Sequence, residues 1–420
     1  MMLSSVQATA ILLSGVFLCA LSSCSDEVPG KGNENVQTRA SLTEGQSKVL
    51  EDLLGKKPAK PAPLFLFTDP NKDPDDLNTL VMLDWLDRQG FVDLRCVVTT
   101  LGGFETRERR AKFALWALRN LELEGVKVGI GSDYDIEVRD ESGSLNVKAT
   151  ESRKKDHNGF NATPFGLPEN GFAKDGASLL QSEIAAVPDG DAVLLVNAGM
   201  VDLAGFLKTA PELAKQKVAR VVIMGGINSE AEESGFVSAD RRAYNNTTVQ
   251  GAADYSYAKI QELGLPLVVV TKEAAYTAPV GREFYETMAE TGHPIGIYLR
   301  DQQYESLKRL WTGVHEGHLP PALTPRWFIQ TFTELDPDGI KEASLTVEDF
   351  DSVWEHVTKF NLYDPMALLA ATPGVGDYLF QSGKPEGVSG DVTVISRESI
   401  KDPSNAIDAF SALVLESLAP

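Results

Sequence analysis

The chain has 420 residues, 43% of them hydrophobic, which suffices for one large domain or two ordinary ones. Its formal net charge is −21. A surface so acidic argues against nucleic acid and against an anionic membrane as partners held by charge.

Residues 1–23 carry no charged side chain, and Ile11 to Leu21 forms a short apolar core ahead of Leu21-Ser22-Ser23-Cys24. This resembles a bacterial lipoprotein signal, whose cleavage leaves an N-terminal cysteine that takes lipid, although the n-region lacks Lys and Arg. Ordinary secretion and a transmembrane anchor are the alternatives, and the run is short and broken by Ser for a span. The expectation is an exported protein touching a bacterial membrane only through a lipid anchor, in the periplasm or at the cell surface. Residues 24–60 are polar and end in KKPAKPAP, which predicts a flexible tether with one short helix around SKVLEDLL. Of the three cysteines, Cys19 leaves with the signal, Cys24 is the lipid acceptor, and Cys96 remains as a small buried hydrophobe.

Beyond residue 61 apolar runs alternate with helical patterns. Strands are predicted at 63–69, 93–100, 126–132, 191–199, 218–226 and 265–272. Helices are predicted at 75–89, 105–123, 176–187, 201–216 and 247–263. Val/Ile/Leu runs with little alternation are those of strands covered on both faces. The β-then-α order implies an α/β fold: an open, mostly parallel, Rossmann-like sheet with helices on both faces. Residues 61–420 are expected to form a single domain with a helical insertion at about 281–360. Strand-like KPEGVSGDVTVISRE, after residue 373, would complete a sheet edge or form a hairpin.

In such sheets ligands bind beyond the carboxyl ends of strands. There the sequence reads LFLFTDPNKDPDDLNTL, with aspartates at 69, 73, 75 and 76 where a buried strand meets a helix. Like charges so gathered call for neutralisation, and Ca²⁺ or Mg²⁺ takes carboxylate oxygens. The bland alternative is a solvated turn with an Asp cap.

Five stretches, in order, are TDPNKDPDD, VVTTLGGFETRERRAKFALWAL, LLVNAGMVDLAGFLKTAPELAKQKVARVVIMGG, YNNTTVQGAADYSYAKIQELGLPLVVV and YDPMALLAA. Together they resemble the inosine-uridine preferring nucleoside hydrolase superfamily, in a divergent branch found in secreted proteins. The resemblance implies a nucleoside hydrolase-like domain and calcium-dependent hydrolysis of an N-ribosidic bond by metal-activated water. It implies Ca²⁺ held by Asp69, Asp76, Asp364 and the carbonyl of Val201. It makes Asp69 the general base, places a ribose hydroxyl on Asp75, and puts Asn245 against the sugar. Phe104 stands where the family has a sugar-contacting Asn, and Ala243 where it has Glu. Tyr363 replaces a His that is a candidate acid for the leaving base; Tyr could donate a proton or stack on that base. The expected partner is a small nucleoside or glycoside, and homo-oligomers are implied by the family alone. A hydrolase of another glycoside and a non-catalytic, calcium-dependent sugar-binding protein are the alternatives.

Other motifs point elsewhere only weakly. His157 reads as a surface-loop residue, and HEGH at 315–318 lacks zinc spacing. No Walker A, GxGxxG or nucleophile elbow is present. A haloacid dehalogenase phosphatase would need Asp where Asn71 stands.

Overall fold

Apolar runs in this chain become strands because their alternate residues find a hydrophobic layer on each side. In β1 (Ala62–Thr68), Leu64 and Leu66 pack into one core cluster and Phe65 and Phe67 into the other. The same division holds in β4 (Ala192–Val196), where Val193 and Leu195 face one side and Leu194 and Val196 the other. Each such side chain, buried completely, stabilises by about 1.5–3 kcal/mol. The computed structural model describes residues 42–70, 74–132, 166–228, 230–317, 323–336 and 346–419, all within one unit, Gln37–Pro420. The signal, Cys24, Asp73, His157 and His318 lie outside the described residues.

Among the described residues the sheet has seven strands. They are β1, β2 (Val92–Thr99), β3 (Lys127–Ile130), β4, β5 (Val218–Gly225), β6 (Leu267–Thr271) and β7 (Val392–Ile395). Their order is β3-β2-β1-β4-β5-β6-β7, and every pairing is parallel. All six predicted strands are present, and β7 completes the edge rather than forming a hairpin. Cys96 is buried on β2, where burial pushes its thiol up to about 12.

The helices fall on both faces. They are α1 (Glu44–Leu54), α2 (Asp75–Arg88), α3 (Phe104–Asn120), α4 (Gly176–Ala186), α5 (Val201–Thr209), α6 (Pro211–Lys217), α7 (Tyr244–Thr248) and α8 (Gln250–Glu262). Then follow α9 (Lys272–Ala275), α10 (Arg282–Glu290), α11 (Pro294–Glu316), α12 (Pro325–Phe332), α13 (Phe350–Trp354), α14 (Tyr363–Ala371), α15 (Val375–Leu379) and α16 (Pro403–Leu418). The predicted helix 201–216 divides into α5 and α6 because Pro211 has no N–H to continue a ladder and sits at the first position of the new helix. Helices α4, α5 and α8 cover one face; α1, α2, α3, α14 and α16 share the other with the helices of 281–360, whose Trp311, Phe328 and Phe350 are fully buried. The expected insertion is therefore an outer layer fused to that core.

The tether expected over 24–60 needs correction where it is described. Residues 44–54 form α1, capped by Thr43 and Gln46 in a reciprocal pair of hydrogen bonds. Val49, Leu50 and Leu53 bury one face of it in the core, and α1 packs against α16. Lys and Pro after residue 55 mark a connection, whereas the apolar spacing before it builds a helix of the domain. Leu53 is fully buried, so Leu53→Ala is expected to cost about 2–5 kcal/mol. An unshifted urea midpoint would show that α1 adds nothing to the fold.

Candidate active site

The order places a topological switch between β1 and β4, since connections depart from them in opposite directions. A cavity of about 600 Å³ opens there, lined by Asp69, Asp75, Asp76, Asn197, Asn245, Tyr363 and Asp364, with further residues from the ends of β5 and β6. A separation of nearly three hundred residues between the TDP stretch and YDP is thus closed by the sheet.

Asp69 is buried immediately after β1. Its N–H donates to Oδ1 of Asp76 at 3.1 Å, and the Thr68 hydroxyl donates to the same oxygen. Asp76 lies in the first turn of α2, where the helix dipole favours an anion. Asp75, the first residue of α2, reaches across to α14: its Oδ2 accepts from the N–H of Tyr363 at 3.0 Å and of Asp364 at 3.1 Å. Leu362 precedes α14 without a side-chain cap, so Asp75 caps that helix from outside. The two helix starts, and with them the carboxylates, are tied together by this one contact.

Two asparagines complete the floor. The Asn197 side chain, after β4, donates weakly to the Thr79 hydroxyl and the Asp364 carbonyl, both at 3.4 Å. Its own carbonyl oxygen is buried with no donor among the described residues, which leaves an acceptor for a ligand hydroxyl. Asn245 donates to the carbonyls of Asn197 and Met224, both at 3.1 Å, pinning α7 to the ends of β4 and β5.

Sequence reasoning missed the positive charge. Arg107 and Arg110 lie in the charged run RERR, yet both are buried. Arg110 Nη1 donates to the carbonyls of Thr100 and Leu101 at 2.7 Å, and its Nη2 lies 3.6 Å from Asp69 Oδ2. Arg107 donates to the carbonyls of Gly131 at 2.8 Å and Gly102 at 2.5 Å. They hold a strained turn, in which Leu101 has φ of 63° and Gly102 of 81°. The legible signal was position: 107, 110, 111 and 114 continue one helical face into the core.

Phe104 and Val201 are not in the cavity lining. Phe104 begins α3, is 47% exposed and lies outside the cavity lining, because the turn sends the start of α3 outward. Val201 begins α5 and is buried but does not line the cavity; a carbonyl at that position belongs to the helix ladder. Tyr363 does line it, with its ring edge-on to Tyr276 at 6.0 Å. Burial, reinforced by the Tyr276 hydroxyl, pushes the Tyr363 hydroxyl well above its ordinary range, so it donates a hydrogen bond more readily than a proton. His315 packs against Trp311 away from the site.

No family model and no curated protein matches the chain. Solved structures do. The chain is 37% identical to the type III effector protein XopQ, solved in complex with adenosine diphosphate ribose, over 90% of this chain and 100% of that one, with a TM-score of 0.79. The fold is shared with a plant nucleoside hydrolase, PpNRh1, at 16% identity over 86% of this chain and 99% of that one, TM-score 0.51. It is shared also with a purine-preferring ribonucleoside hydrolase from Gardnerella vaginalis, at 15% identity over 85% of this chain and 100% of that one, TM-score 0.52.

The chain belongs to the family of the type III effector protein XopQ and has the fold of nucleoside hydrolases.

A site of this composition bears on the expected calcium. Asp69, Asp76 and Asp364 all face one cavity, and a set of carboxylate oxygens is the donor chemistry of a hard cation. Among the described residues no group of three or more His, Cys, Asp or Glu side chains stands close enough together to hold a metal ion. The donors fit in kind, with Arg110 already supplying one positive charge to Asp69.

Proposed function

We propose that this protein hydrolyses an N-ribosidic bond in a nucleoside or related ribosyl compound. The observation that carries the reading is the convergence of Asp69, Asp75, Asp76 and Asp364 on one cavity at the β1/β4 switch. The XopQ structure, with adenosine diphosphate ribose, supports a ribosyl ligand on this scaffold.

The residues suit such a reaction. Breaking the bond leaves positive charge on the sugar, and an anionic floor favours that charge. Asp69 takes the proton of the attacking water as general base. The Asn197 side-chain Oδ1 and Asn245 hold sugar hydroxyls and so fix the orientation. Asp69, Asp76 and Asp364 would hold Ca²⁺, which when bound acidifies a water. Export and lipid attachment through Cys24 belong to the same proposal, on the signal-like residues 1–24.

Ribose release from a panel of purine and pyrimidine nucleosides, with and without a calcium chelator, tests the reading. Chelator-sensitive release is expected. Binding of adenosine diphosphate ribose with no release from any substrate would instead support a sugar-binding protein.

A further inference from the structure

The carboxylates of the cavity floor come from two helices. Asp75 and Asp76 open α2, Asp364 stands in the first turn of α14, and the two helices pack against each other. Apolar packing fills the space between them but has no direction, so it does not by itself fix how one helix start stands to the other. Hydrogen bonds do. On the cavity side they are the two that the N–H groups of Tyr363 and Asp364 donate to Asp75.

A second tie lies behind the cavity. Asn78, two residues beyond Asp76 on α2, is fully buried, and its Nδ2 donates to the hydroxyl of Tyr285 on α10 at 3.1 Å. The Asn78 Oδ1 has no hydrogen-bond partner among the described residues. Tyr285 is buried too, with its ring edge-on to Phe284 and to Phe360 at 5.1 and 5.2 Å between centroids. Phe360 exchanges two backbone hydrogen bonds with Val280, at 2.8 and 2.9 Å, just ahead of α10. Three residues after Phe360 the chain reaches Tyr363 and Asp364. The contacts close a ring: Asn78 to Tyr285, Tyr285 to Phe360, Phe360 along the chain to α14, and α14 back to Asp75. Neither Asn78 nor Tyr285 lines the cavity. An apolar pair would fill their place without the cost of burying an amide, so what the amide and the hydroxyl add is direction.

We infer that Asn78 and Tyr285 are positioning residues, through which the outer helical layer sets the stand of Asp75 and Asp76 on α2 relative to Asp364 on α14. The inference rests on the proposed hydrolysis and gives the segment 281–360 a part in it.

Two variants test it. Tyr285→Phe keeps the ring contacts and deletes the hydroxyl; it leaves the Asn78 amide buried without a partner and should lower the melting temperature. Asn78→Leu combined with Tyr285→Phe removes both polar groups and should melt near the parent, since an apolar pair of similar shape is nearly neutral. The first readout is hydrogen exchange at the Tyr363 and Asp364 amides, with the amides of β4 as the reference for global opening. In the double variant these two amides should exchange about tenfold faster relative to β4, as a weakened hydrogen bond to a charged group predicts. The second readout is kcat for ribose release, which should fall about ten- to hundredfold, the effect of a displacement of about 1 Å at the reacting groups. Parental exchange or parental kcat in the double variant would overturn the inference, whatever the single variant does, and leave the hydrolase reading standing. Should the parent itself release no ribose, the hydrolase reading falls, and exchange at Tyr363 and Asp364 alone decides whether the tie sets the two helix starts.

Discussion

Asp69→Asn is expected to lower ribose release by about 10²–10⁴-fold, the usual contribution of a positioned general base. The substitution keeps shape but removes the proton acceptor together with the negative charge that faces Arg110 and the proposed cation. The hydrogen bond to Asp76 survives, since the Asp69 backbone N–H makes it. Single-turnover measurements on protein of unchanged circular dichroism would show it. Asp364→Asn should act in the same direction through the shared cation site, with calcium titration as the second readout. Activity preserved in both variants would sink the hydrolase reading, because no other carboxylates are common to the floor and to the proposed metal set apart from Asp76.

Arg110→Met is expected to cost about 3–5 kcal/mol of stability, the range for removing one partner of a buried ion pair. The loss has two sources. Asp69 would keep its charge without the guanidinium 3.6 Å away, and the carbonyls of Thr100 and Leu101 would lose their donor. Arg110→Lys should recover little, since one ammonium cannot span both carbonyls and the carboxylate in the same plane. Denaturation with and without calcium separates the sources: if the cation restores part of the lost stability, the missing charge at Asp69 is responsible. A variant as stable as the parent would show that the pair is dispensable.

Much of this architecture was legible from local pattern. Six strands announced themselves as apolar runs because both faces of a central parallel strand are covered. The edge strand β7 is half-exposed at Thr393 and Val394, so its run is weaker and its role stayed open. The helix around SKVLEDLL was legible, but the Lys- and Pro-rich stretch that follows obscured that its face of Val49, Leu50 and Leu53 joins the core. In the site, Asp69, Asp75, Asp76, Asn245, Tyr363 and Asp364 all reach the cavity, since each sits next to an element whose end the pattern revealed. Phe104 and Val201 do not line it, because their positions depend on how a turn or a helix start is oriented. Arg107 and Arg110 were illegible for a different reason: a charged side chain is assigned to solvent unless its partners are known, and these are backbone carbonyls of a turn.

The packing of α1 against α16 bears on how the molecule is made. Residues 44–54 and 403–418 close the same core, and α16 also packs against α2. A nascent chain therefore emerges with the partner of its first helix still unsynthesised, and parallel strands that need distant neighbours add to the delay. Until translation reaches α16, the apolar face of α1 lacks its main partner and α2 lacks part of its cover. Synthesis of this domain is thus a period of exposure, in which a holdase would find its binding sites on those two helices.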